Sequence, residues 1–264
     1  MLKCLMIHSY PREYYGLYDS FKDGSGTIRD WINAVERLAR SILEKNPDIN
    51  KNELTELIPG NWNIDITQEG FVITGPKDKD GIRVMREIHA TWVADKTQWF
   101  ITHQDLAEYL HQDTLDKFKG DMLEVLSELF FNTFQADETI GIRDYAPVTL
   151  TDDFGVDATG INTNGHKVVI QVKYRGNPEN VIPYADIART FTSAVCQLGI
   201  LDVVHHERTV YLFTTSKGVT AAYEKVMGRK SVIINRAMIG RKIDNNHNFW
   251  HNAFTLIDAT MRNN

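Results

Sequence analysis

Asp157, Gln171 and Lys173 are the residues best spaced for chemistry, in the stretch "GVDATGINTNGHKVVIQVKY" at 155–174. The pattern reads as a hairpin. Side chains alternate along a strand, so Gln171 and Lys173 share a face with Val169, while Val168, Ile170, Val172 and Tyr174 take the other. An amide and an ammonium in so apolar a run cost several kcal/mol to bury unless they have polar work to do. The loop decides what joins them. A two-residue Asn164-Gly165 turn sets Asp157 opposite Val172. A three-residue loop, Thr163-Asn164-Gly165 with Gly165 left-handed, sets it opposite Gln171. One residue of register exchanges the faces, and only the three-residue loop gathers a carboxylate, a side-chain carbonyl and an ammonium around one point. Asp157 and the Gln171 oxygen suit a hard divalent cation, Mg²⁺ with Mn²⁺ as substitute, and the Val172 carbonyl can add an oxygen. Lys173 would meet a phosphate oxygen and assist the attacking water. That is phosphodiester hydrolysis by metal-assisted attack of water.

The elements that must carry these residues follow from periodicity. Residues 27–46 place Ile28, Trp31, Ile32, Val35, Leu38, Ile42 and Leu43 on one helical face. A short helix at "NKNELTELIPG" and two strand-like runs, "WNIDIT" and "GFVITG", come next, an order that fits a winged-helix-like module. A second helical pair is expected around "GIRVMREIHATWVA" and "THQDLAEYLHQ", the latter capped by Thr102 with Asp105 three residues on. A boundary near 111–115 divides the chain into a mainly helical N-terminal region, 1–112, and an α/β domain, 113–264. In that domain a helix over 115–134 aligns Leu115, Phe118, Met122, Val125, Leu126, Leu129 and Phe130 inward, with Glu124 and Glu128 at its edge. The hairpin, a helix near "YADIARTFTSAVCQLG", the strand "RTVYLFTTS", a helix near "VTAAYEKVM" and the strand "SVIINR" predict a mixed central β-sheet flanked by helices. "NFWHNAFTLIDATM" closes the chain as a helix.

Asp157 followed by Gln171-Val172-Lys173 resembles the PD-(D/E)XK nuclease superfamily, and within it the Mrr-like restriction endonucleases that carry Gln in place of an acidic residue. "GDMLEVLSELF" is similar to the family's leading helix, with Glu124 at its auxiliary acidic position. "FGVDATG" is similar to the segment with the metal-binding Asp, and "YLFTTSKGVTAAYEKV" to a later strand. The resemblance covers roughly 115–240. Val156 stands where many members have Pro, and a neutral Gln171 binds metal less strongly than a carboxylate. It implies a restriction-endonuclease-like α/β core and a Mg²⁺-dependent DNA endonuclease of restriction-modification type. Asp157, Gln171, Val172 and Glu124 would hold metal, Lys173 would assist catalysis, and a homodimer would cut both strands of duplex DNA to 5′-phosphate and 3′-hydroxyl ends. A structure-specific repair or recombination nuclease, and an inactive DNA-binding regulator on the same fold, remain alternatives.

DNA contacts are expected from Arg175, beside the site, and from Thr215, Ser216 and Lys217, where a strand ends before a helix. Turn and capping chemistry explains the hydroxyls equally well. Between Lys217 and Lys242 the chain carries Lys225, Arg229, Lys230, Arg236 and Arg241 against the single acid Glu224. Arg229, Lys230 and Arg241 are the binding candidates there, with a solvated face as the plainer account. In the N-terminal region Lys51, Asn52, Gln68 and Gln104 have suitable donors for reading bases, and a scaffold or dimerisation module is the competing account. Asp152 and Asp153 compete with Asp157 for the metal but suit the turn better. His247 and His251 lack a third ligand, and His205-His206 point apart. A net charge of −6 over 264 residues speaks against unspecific coating of nucleic acid. Cys4 and Cys196 have no metal-like spacing, which points to a reducing, cytoplasmic compartment, and no window is long enough for a membrane span.

Overall fold

The computed structural model describes residues 2–8, 10–44, 51–58, 62–75, 79–95, 97–148 and 155–262. Asp152 and Asp153, and the side chains of Lys51 and Asn52, lie outside what it describes. Both long helices expected from periodicity form, as α3 (Ile28–Glu44) and α7 (Gln112–Thr133) below, and the chain's two compact units divide inside them. One unit comprises Met1–Glu36 with Lys119–Asn264, the other Arg37–Phe118. The later dividing point falls between Phe118 and Lys119. The earlier one, between Glu36 and Arg37, has no counterpart in the sequence reading.

In chain order the elements are α1 (Lys3–Ile7), α2 (Pro11–Phe21), α3, α4 (Lys51–Leu57), β1 (Asn63–Ile66), β2 (Gly70–Thr74), α5 (Lys79–Glu87), β3 (Thr91–Ala94), β4 (Gln98–Thr102), α6 (His103–Leu110) and α7. They continue as β5 (Ile142–Pro147), β6 (Ala158–Asn162), β7 (Lys167–Lys173), α8 (Tyr184–Cys196), α9 (Asp202–His205), β8 (Val210–Thr214), α10 (Ala221–Met227), β9 (Ser231–Ile234), α11 (Arg236–Ile243) and α12 (His247–Met261).

The unit Arg37–Phe118 is built on an antiparallel sheet of order β1-β2-β4-β3. Leu54, Ile64, Phe71, Ile73, Met85, Trp99, Ile101 and Leu106 form its core. The structure corrects the second helical pair expected here: helix α5 stops at Glu87, and the hairpin β3–β4 stands where the helix was extended through "ATWVA". His89 has a φ of 58°. Its N–H donates to the Arg86 carbonyl, and the Ala90 N–H to the Met85 carbonyl, the pair of bonds that ends a helix on a left-handed residue. Glycine or asparagine usually marks that position, and His89 hides it.

Thr102 caps α6 as expected. Its hydroxyl accepts the Asp105 N–H at 2.9 Å and donates to the Asp105 carboxylate at 2.7 Å. Thr102→Ala removes both bonds and is expected to lower stability by about 1 kcal/mol in urea unfolding. An unchanged midpoint would mean the cap is redundant.

The other unit carries a mixed sheet of order β5-β6-β7-β8-β9, antiparallel through β7 and parallel from β7 to β9. The expected mixed central sheet flanked by helices is present, with β5, α9 and α11 in addition to the elements read from periodicity. On one face Val169, Val210 and Leu212 pack under Ile187 and Ala194 of α8, Val203 of α9, and Tyr223 and Met227 of α10. On the other, Tyr211 and Phe213 meet the rings of Phe131 and Phe130 from α7. Fully buried aromatic and branched side chains on both faces make this sheet the centre of the unit. Residues before α3 join it from far away in sequence: Phe21 stacks on Trp250 of α12 at 4.6 Å, and the Leu2 N–H donates to Thr260.

Candidate active site

The hairpin β6–β7 sets the geometry. Asn162 anchors its loop, its side-chain oxygen accepting the N–H groups of Asn164 and His166 at 3.0 Å each, and Gly165 has a φ of 84°. This is the three-residue loop, and the ladder runs in the corresponding register, Ala158 opposite Ile170 and Thr159 opposite Val169. The paired register ends there, and the Asp157 N–H donates to the carbonyl of the same Ile170 at 2.9 Å, so Asp157 adjoins Ile170 beside Ala158.

Before Asp157 the chain crosses β7 at Gly155. That residue has a φ of 73°, and a Cβ on it would stand 3.2 Å from the Gln171 amide nitrogen. Its carbonyl accepts the Thr190 hydroxyl of α8 at 2.6 Å. Only glycine combines that conformation with so close an approach. The half-buried Asp157 carboxylate accepts the Val172 N–H at 2.5 Å, past the end of β6.

Gln171 is 1% exposed, on the face covered by α8. Its amide nitrogen donates to the Asp186 carbonyl at 3.3 Å, which fixes the orientation, because the reversed amide would set two acceptors against each other. Its carbonyl oxygen is then buried with no hydrogen-bond partner among the described residues. A buried orphan acceptor costs roughly 1–3 kcal/mol, and a cation beside the Asp157 carboxylate would satisfy it. The residues present thus fit a divalent ion with oxygen ligands. Lys173 follows on the same face, half-buried at the strand end, and its ammonium has no hydrogen bond or ion pair among the described residues.

Tyr174 and Arg175 brace the strand end. The Tyr174 phenol donates to Glu36, whose other oxygen meets Lys119 at 2.9 Å. Arg175 pairs with Asp186 at 2.9 Å, its N–H donates to the Thr215 hydroxyl, and that hydroxyl donates to the Arg175 carbonyl. Thr215 and Ser216 are fully buried, and the Ser216 hydroxyl donates to the Gly218 carbonyl, so both hydroxyls serve the turn. Lys217 is exposed and paired with Glu179.

Other candidates lie elsewhere. Glu124 comes from α7, whose Phe130 and Phe131 pack on the opposite face of the sheet from Gln171, and its Oε2 stands 3.1 Å from His8 Nε2. Sequence reasoning missed His8, since nothing local links it to a helix 116 residues later. Arg229 and Lys230 precede β9, at the end of the parallel strands where β7 begins, about 20 Å of strand from Lys173. Lys230 donates there to the Val204 and His206 carbonyls. Arg241 is exposed on α11, a helix that starts beside Ser216 through the Arg236 N–H. Its neighbour Lys242 pairs with Asp137 at 2.5 Å. Burial raises the Asp137 carboxyl, but Lys242 and Thr139 outweigh that and hold it well below the usual carboxylate range. Gln104 and Gln68 belong to the unit Arg37–Phe118, where Gln104 donates to Glu108. His247 bonds the Gly24 carbonyl and stacks on His251, and His206 stacks on His166 at 3.7 Å.

No family model matches the chain, and no curated protein matches it. Among solved structures, the chain is similar to the MspJI restriction endonuclease in complex with a 27-mer oligonucleotide, with a TM-score of 0.33 and 16% identity. The match covers 60% of this chain and 36% of that one, so this chain spans little more than a third of that protein's length. Among the described residues, no helix is long and apolar enough to cross a membrane.

Proposed function

We propose that the chain is a metal-dependent DNA endonuclease of the PD-(D/E)XK type with an Asp…Gln-x-Lys site, acting on duplex DNA as a homodimer in a restriction role. The observation that carries this reading is the buried Gln171 carbonyl oxygen, left without a hydrogen-bond partner among the described residues, on the hairpin strand that follows Asp157. Asp157, the Gln171 oxygen and the Val172 carbonyl would hold Mg²⁺, or Mn²⁺ in its place. The ion, when bound, supplies Lewis-acid polarisation of a phosphate oxygen. Lys173 would hold a positive charge where the scissile phosphate gains negative charge, and with no ion-pair partner among the described residues it is available for that. Glu124 stands as an auxiliary acid on the α7 side. Water adds to phosphorus and the bond to the 3′ oxygen breaks, leaving 5′-phosphate and 3′-hydroxyl ends.

Arg175 and Lys217, near the strand end, are the nearest candidates for phosphate contacts, with Arg241 and the backbone around Thr215 and Ser216 further along. Arg229 and Lys230 would have to act on DNA that reaches the far end of the sheet. The unit Arg37–Phe118, with exposed Ile66, Trp92 and Val93 on its edge strands, is assigned to DNA recognition or dimerisation.

The test is incubation of a long mixed-sequence duplex, methylated and unmethylated, with the full chain in Mg²⁺ or Mn²⁺. Discrete fragments with ligatable 5′-phosphate ends are expected. Intact duplex alongside cleaved junction or flap substrates would replace the restriction role with structure-specific cleavage. Tight binding without cleavage of any substrate would leave a DNA-binding protein and remove the enzymatic reading.

A further inference from the structure

His8, Asp121 and Glu124 converge where the nuclease reading uses only Glu124. His8 follows the last turn of α1 in an extended conformation, and α7 presents Asp121 and Glu124 one turn apart. His8 Nε2 lies 3.1 Å from Glu124 Oε2, its Nδ1 lies 3.5 Å from Asp121 Oδ2, and the three side chains are 9%, 8% and 23% exposed. One ring nitrogen and one oxygen from each carboxylate all fall within 4.8 Å of one another. An ion bound at about 2.1 Å keeps its ligand atoms roughly 3–4 Å apart, so sub-ångström adjustment brings these three onto a common centre.

The arrangement is held by contacts that do not involve the imidazole. One turn beyond Glu124, the buried Glu128 carboxylate accepts the N–H groups of Lys3 and Cys4 at 2.8 and 2.7 Å, which pins α1 to α7. The Tyr14 phenol donates to the His8 carbonyl at 2.9 Å, and the His8 N–H donates to the Cys4 carbonyl. The ring is thus delivered to the two carboxylates by its backbone, as pre-organised ligands are.

The 3.5 Å between His8 Nδ1 and Asp121 Oδ2 is longer than an ordinary N–H···O hydrogen bond, so the ring is not locked onto that carboxylate. The surroundings are acidic on one side and buried on the other. Burial, then the charge of Asp121, pushes up the Tyr14 phenol. Burial, then Glu128 and Glu124, pushes up the Cys4 thiol. Burial also raises the Tyr145 phenol, with Cys4, Glu124 and Glu128 adding to it. Burial is the largest cause for all three, and nearby carboxylates add to it.

We propose that His8, Asp121 and Glu124 bind a first-row divalent cation, Mn²⁺ or Zn²⁺, at a second site separate from that of Asp157 and Gln171. One imidazole nitrogen with two carboxylate oxygens suits these ions better than Mg²⁺, which is usually bound through carboxylates and waters. The ion staples α1 to α7. Sharing Glu124 with the nuclease reading, the site nevertheless stands or falls on metal binding, whether or not the chain cleaves DNA.

The full chain, stripped of metal, is titrated with Mn²⁺ followed by electron paramagnetic resonance, and with Zn²⁺ by calorimetry. Native protein is compared with His8→Gln, Asp121→Asn and Asp157→Asn, each checked for folding by circular dichroism. Binding should persist in Asp157→Asn and weaken at least about tenfold in His8→Gln and Asp121→Asn. In the native protein, Mn²⁺ should broaden the His8 ring resonances at stoichiometric amounts, a readout that needs no variant. Unchanged affinity in folded His8→Gln and Asp121→Asn overturns the proposal. So does loss of all binding in Asp157→Asn, or a His8 ring that Mn²⁺ leaves unbroadened.

Discussion

Lys173→Ala is expected to slow DNA cleavage by about 10²–10³-fold while leaving duplex affinity within a fewfold of the native chain. The size is that of removing one pre-positioned charge from a developing oxyanion. The selectivity follows from the position of the side chain. Lys173 ends β7, half-buried and with no ion pair among the described residues, so truncation strands no buried acid. The strand end is held instead by Tyr174 on Glu36 and by the bonds between Arg175 and Thr215. Single-turnover nicking of supercoiled DNA gives the rate, and fluorescence anisotropy with labelled duplex gives the affinity. A variant that cuts as fast as the native chain removes Lys173 from the mechanism. A parallel loss of affinity and rate makes it a DNA anchor.

Gln171→Glu should produce a protein whose stability depends on metal. In chelator, the new carboxylate would be almost fully buried, facing the Asp186 carbonyl that the amide now satisfies. A loss of about 3–5 kcal/mol is expected, the usual cost of an uncompensated buried charge. Millimolar Mg²⁺ should restore much of it, since a carboxylate is the stronger ligand. The pH dependence has a definite sign. Burial raises the new carboxyl in the folded state above its unfolded value, so the penalty on folding builds as pH rises above the unfolded value and is complete once pH passes the folded one. The deficit against the native chain is therefore smallest in acid and largest at neutral pH. Melting temperatures in chelator and in Mg²⁺, at pH 4.5 and 7.5, decide the matter. Equal values with and without Mg²⁺ at pH 7.5 would mean that the Gln171 oxygen does not face a cation.

The hairpin was legible because its loop chemistry is local. Asn164-Gly165 demands a left-handed residue, and the extra loop residue sets the register, Ala158 opposite Ile170 and Thr159 opposite Val169. The α7 face was legible for the same reason, a repeat within one element. What escaped the sequence depended on exceptions or on distance. His89 takes a left-handed conformation without being glycine, so α5 read as longer than it is and the exposed strand Thr91–Ala94 was absorbed into it. In β5, Asp144 has a φ of 57° and the ladder shifts between Arg143 and Ala146, which breaks the alternation a strand needs to be read. The partners of His8, and of Phe21 on Trp250, are set by tertiary folding that no short window contains.

One ion pair also bears on how the chain is threaded. Glu36 and Lys119 are the residues at which the chain leaves one unit and returns to it, and their side chains meet at 2.9 Å. The intervening 37–118 is thus topologically a cassette, held in a unit whose own path leaves and resumes at almost the same place. A host with adjacent ports can exchange its cassette without rethreading its sheet. Chains with this hairpin and quite different inserts between equivalent ports are therefore the variation this architecture permits most readily.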